Sequence, residues 1–154
     1  MTITMFNTIR LPACTFVLAL SACSSQPPGQ APGTWAIQTS ATAGSALIYS
    51  EHGDESLRIA CRRNPVDVLV TTPRLPGQTG PAHLQIGDTR VDLVATGDEP
   101  VLVATGRLDA AFAAAMASGD SISVHRSPTE SAVFHRPDAT TANTFASLCR
   151  ELTR

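Results

Sequence analysis

Between Thr34 and Gly106 the apolar residues come in short runs, mostly at alternate positions, and turn-forming clusters cut every run. Trp35 and Ile37 begin the alternation, and Ala46-Leu47-Ile48-Tyr49 is a second run, stopped by His52-Gly53-Asp54-Glu55. In Leu57 to Arg62 the period is two: Leu57, Ile59 and Cys61 point one way, Arg58, Ala60 and Arg62 the other. That predicts a half-buried strand with Cys61 on its core face. Arg63-Asn64-Pro65 turns the chain into a hairpin partner with Val66, Val68 and Val70 on one face. Pro73 to Pro81 is a breaker-rich loop. His83 to Ile86 reads as a strand, Gly87-Asp88 as a tight turn, and Arg90 to Val94 as the returning strand. The pentapeptide LVATG occurs at Leu93–Gly97 and again at Leu102–Gly106, which predicts neighbouring strands joined through Asp98-Glu99-Pro100.

After Gly106 the period changes. Leu108, Ala111, Phe112, Ala115 and Met116 recur at helical spacing, and Gly119 supplies a stop. Strand signals return at Ile122–His125 and Ala132–His135, on either side of Ser127-Pro128-Thr129-Glu130. Pro137-Asp138 then opens a second helix, with Phe145, Leu148, Cys149 and Leu152 on one stripe. The reading is an α+β domain, mainly antiparallel and sandwich-like, with two short late helices.

The front of the chain behaves differently. Arg10 precedes an apolar stretch from Leu11 to Leu20, and small residues follow. This is the layout of a secretory signal peptide, too short to span a bilayer as a stable helix. Leu20-Ser21-Ala22-Cys23 resembles a bacterial lipobox. The resemblance implies removal of residues 1–22 and a lipid on Cys23, which anchors the chain to a membrane. Ser24 behind the cysteine favours the outer membrane, facing the periplasm. Residues 23–33, rich in Ser, Gln, Pro and Gly, form a tether. Residues 34–154 are left for a single domain.

Cysteine arithmetic follows from this division. Cys14 leaves with the signal, Cys23 carries lipid, and Cys61 and Cys149 remain in an oxidising compartment, where a pair most simply forms one disulfide. All eleven basic residues are Arg. The mature chain carries ten of them against thirteen acids, with no basic stripe, which argues against nucleic acid as a partner.

The order of Trp35, a strand ending Leu57-x-Ile59-x-Cys61, hairpins, a helix before a Gly, a further hairpin and a closing Ala146-x-Leu148-Cys149 resembles small exported bacterial β-domain proteins. It is similar in outline to the invasion-associated locus B family and to periplasmic accessory proteins of type VI secretion. The resemblance implies a β fold with a Cys pair and brings no catalytic motif with it.

Candidate chemistry is sparse. His52, His83, His125 and His135 have no metal-ligand spacing, and Arg126 and Arg136 beside two of them oppose a cation. His52 to Glu55 offers too few oxygen ligands for calcium and reads as a turn. No G-x-S-x-G elbow occurs. His125, Arg126, His135 and Arg136 form a candidate contact surface for an acidic or phosphate-bearing partner. The loops Pro73–Pro81 and Ser127–Glu130 are further candidates, since loops on a rigid scaffold carry recognition. Trp35 and Tyr49 are the large amphipathic aromatics of the mature chain, interface anchors where exposed. The expectation is a lipid-anchored envelope protein, a non-enzymatic binding module with an envelope protein partner and no cofactor or metal. The alternative is a small envelope hydrolase or metal-dependent enzyme using His125 and His135.

Overall fold

The alternating stretches fold as nine strands, and the two helical stretches as helices, in a computed structural model that describes residues 33–97, 100–118 and 121–154. The expected signal peptide, Cys14, Cys23 and nearly all of the tether lie outside the described residues. The strands are β1 (Thr34–Ser40), β2 (Gly44–Glu51), β3 (Asp54–Arg62), β4 (Asp67–Thr72), β5 (Gly80–Ile86), β6 (Thr89–Ala95) and β7 (Leu102–Arg107). Helix α1 (Ala110–Ser118) follows, then β8 (Ile122–His125), β9 (Ser131–Phe134) and α2 (Ala139–Glu151).

All nine strands belong to one antiparallel sheet in the order β1-β2-β3-β4-β7-β6-β5-β8-β9. A sandwich has two sheets; here a single sheet bends round until its two ends touch. The Trp35 indole N–H at one end donates to the His135 carbonyl at the other, 2.9 Å away. The Tyr49 and Phe134 rings meet edge to face at 5.7 Å, and Trp35 lies against Tyr49 at 4.8 Å. Arg74, on the loop after β4, fastens the seam. Its guanidinium donates to the Val133 carbonyl at 3.1 Å, pairs with Glu51 and covers the Phe134 ring at 4.8 Å. The bond from Arg74 holds the Glu51 carboxyl below its usual range.

The helices fill the inside of this curl. Leu47, Leu57, Ile59, Val68, Val70, Leu84 and Leu102 face inward with Phe112, Phe145 and Cys149, all fully buried. Asp138 caps α2 by accepting from the Thr141 amide at 3.0 Å, and Asp109 accepts from the Phe112 amide at 2.9 Å as α1 begins. Cys61 of β3 and Cys149 of α2 form a disulfide across 88 residues, with a Cα–Cα distance of 5.5 Å.

Within the described residues local expectations hold with three corrections; the Gly119 stop and the Asp98-Glu99 part of the link lie outside them. Val66 sits in the turn before β4 and is exposed; Val68 and Val70 alone point inward. In α1 it is Ala113, not Ala111, that shares the buried face with Phe112, Ala115 and Met116, because Leu108 packs from outside the helix and does not set its phase. Tyr49 is no interface anchor: it is wholly buried, because β2 lies under Trp35 and Phe134 as well as the helices. The LVATG repeats do lie side by side, with Leu93 opposite Gly106 and Ala95 opposite Ala104. Among the described residues no helix is long and apolar enough to cross a membrane.

Candidate functional site

Outward-facing positions of the sheet carry the polar side chains, and the strand registers gather them into rows. Arg62, Asp67 and Arg107 are neighbours across β3, β4 and β7. Asp92, His83, His125 and Ser131 are neighbours across β6, β5, β8 and β9. Arg62 holds Asp67 through its Nε at 2.6 Å, so the first row is internally paired. Arg58 is likewise held by Glu55 at 2.7 and 2.8 Å. Half-exposed pairs of this kind contribute about 1 kcal/mol or less.

The second row is less settled. The imidazoles of His83 and His125 stack face to face, parallel, with centroids 4.6 Å apart. Ser123 Oγ lies 2.8 Å from His125 Nε2. Pro81, Ala82, Arg90, Arg126, Ser127 and Pro128 complete a cleft of about 330 Å³ around the two rings. Arg90 donates to Asp92 at 2.8 Å. Arg126 donates at 3.2 Å to the Pro76 carbonyl and at 2.8 Å to Gln78 Oε1, both neutral acceptors. Its Nε is buried and finds no acceptor among the described residues. Arg126 thereby pins the 73–79 loop against the 127–130 turn, so two of the expected contact loops adjoin.

Partial burial holds the His83 imidazole below its ordinary pKa, and the charges of Arg90 and His125 add to that, with Asp92 opposing. His83 therefore binds a proton more weakly folded than unfolded. Its contribution to stability is complete above the unfolded value near pH 6.5 and is lost as the pH falls through the folded value. Urea unfolding is expected to show the wild type losing more stability than His83→Gln between about pH 7.5 and about pH 5. Equal losses in the two proteins would remove His83 from the account.

His125 and Arg126 thus fall where a contact surface was expected, but His135 and Arg136 do not join them. β8 and β9 are antiparallel, with His125 opposite Ser131 and Ile122 opposite Phe134, so His135 lies past the far end of the hairpin. His52 occupies a left-handed turn position between β2 and β3, φ 55°, far along the sheet. Sequence reasoning missed Arg90 and Asp92. The two-residue Gly87-Asp88 turn already sets Asp92 opposite His83, so that pairing was readable. The stacking of His83 on His125 was not, because β5 and β8 are joined by two strands and a helix.

Among the described residues no three His, Cys, Asp or Glu side chains gather as a metal site. A second groove, of about 290 Å³, runs over Ala46, Ala60 and Leu69 between Arg58 and Arg62, both engaged with carboxylates. Compared with family models, curated proteins and solved structures, the chain matches none.

Proposed function

We propose that the protein is a lipid-anchored, non-enzymatic binding module of the bacterial cell envelope. In this reading Cys23 carries the lipid and the domain sits on the periplasmic face of the outer membrane. The cysteine distribution carries the proposal. Cys61 and Cys149 are committed to each other, which suits an oxidising compartment and leaves Cys23, in its lipobox setting, as the cysteine of the mature chain for acylation. The tether sets the domain off the membrane, and the His83/His125 cleft is the surface it presents to another envelope component.

The test has two parts. An alkyne-labelled fatty acid fed to cells is expected to label the wild type and not Cys23→Ala, which moves from the membrane to the soluble fraction. In-cell crosslinking at native abundance is expected to capture a reproducible envelope component. Absence of label sinks the anchor, and capture of nothing beyond abundant porins sinks the binding role.

One contact favours a second reading, a small hydrolase: Ser123 Oγ lies within hydrogen-bond reach of His125. A nucleophile of that kind also needs its base oriented by a third group. No hydrogen bond to the other ring nitrogen of His125 occurs among the described residues. Ester hydrolysis that Ser123→Ala abolishes would establish this reading over the first.

A further inference from the structure

We propose that the His83/His125 cleft is a binding site for a phosphate group, one that tightens on acidification. This rests on reading the cleft as the module's binding surface and names the chemistry of what it takes. Four nitrogen-bearing side chains converge there: His83 from β5, Arg90 from β6, and His125 and Arg126 from β8 and its end. Asp92 is the carboxylate of this group, and Arg90 already engages it. Arg126 is held in place by two neutral acceptors, so its full charge stays uncompensated by them, while the loop it pins keeps it from swinging away. A preset guanidinium of this kind suits an oxyanion with several acceptor oxygens.

The stacked imidazoles supply the pH dependence. Two parallel rings 4.6 Å apart repel each other once both are protonated. The charged groups that face them are Arg90 and Asp92 from β6 and Arg126 from the turn after β8; β9 contributes Ser131, which is neutral. Two cations against one carboxylate oppose protonation further. A bound dianion reverses this balance, so binding and proton uptake are linked, and each drives the other. The same two guanidinium groups disfavour a metal cation beside the imidazoles. Pro81 and Pro128 line the cleft, and its size suits a compact headgroup or a free ion over an extended polymer.

The experiment is a titration of the full chain in detergent with sulfate, a dianion whose own charge does not change over the range used. Chloride is exchanged for sulfate at constant ionic strength, and the imidazole ring signals are followed by NMR near pH 5.5 and near pH 8. Saturable shifts of both His83 and His125 are expected, with affinity about tenfold higher at the lower pH, the equivalent of one pKa unit of coupling. Arg126→Met is expected to weaken binding at least about tenfold. Should that variant fail to fold, His83→Gln and Arg90→Met serve the same purpose. Competition against sulfate by a short-chain phosphatidylglycerol that dissolves in the same detergent identifies a lipid headgroup as the phosphate source; competition by inorganic phosphate alone identifies the free ion. Non-saturating shifts, or a response to Zn²⁺ and not to sulfate, overturn the proposal. Loss of the lipid label would sink the anchor without touching this result, since the titration does not depend on Cys23.

Discussion

Cys149→Ala unfolds with about 4 kcal/mol less free energy than the wild type, the value expected for opening a loop of 88 residues on the chain-entropy model. For a domain of this size that is a fall in melting temperature of about 15 °C. The argument is one of connectivity. The link joins the last helix to β3, so it removes a large share of the conformations open to the unfolded chain. It also holds α2 against the inside of the sheet, where Phe145 and Ala146 are fully buried. Chemical denaturation of wild type, Cys149→Ala and the double variant Cys61→Ala/Cys149→Ala measures it. If the double variant were as stable as the wild type, the link would be incidental and α2 would be held by packing alone.

Phe134→Ala is the second large effect, a loss of about 3 to 5 kcal/mol. Phe134 is buried at the end of β9, with the Tyr49 ring edge-on and the Arg74 guanidinium over its face. Removing it leaves a cavity where the two ends of the sheet meet, and it takes away the aromatic and cation contacts as well. Because Arg74 serves Phe134, Glu51 and Val133 together, Arg74→Ala and Phe134→Ala are expected to be non-additive. Strict additivity in a double-mutant cycle would mean that the seam is not a cooperative unit.

Much of this architecture was legible in the sequence because it is local. Period-two alternation marked Leu57, Ile59 and Cys61 as inward, and the Gly87-Asp88 turn gave the register of β5 and β6. The repeated LVATG marked two strands that pair. The Cys61–Cys149 link followed from counting cysteines. What the sequence withheld is non-local. Nothing in the order of residues says that β4 pairs with β7, or that the sheet curls so that Trp35 reaches His135. For the same reason the candidate site was half seen. His125 and Arg126 were identified as neighbours in the chain, whereas their partners His83 and Arg90 come from strands that only the fold brings alongside. His135 and Arg136 repeat the same dipeptide and sit at the other end of the hairpin, because a four-residue strand separates its ends by about 10 Å or more.

The strand order also governs how the molecule comes into being. A chain emerging from its N-terminus lays down β1 to β4 as successive hairpins. The inner face of that early sheet, including Leu47, Tyr49 and Ile59, waits for covers made at the very end: Phe134, Phe145 and Cys149. Until those residues arrive, an apolar surface and an open strand edge are exposed together, the combination most prone to aggregate. Truncation of the last helix is therefore expected to leave the inner face of β1 to β4 uncovered, with the loss falling on the half of the domain made first.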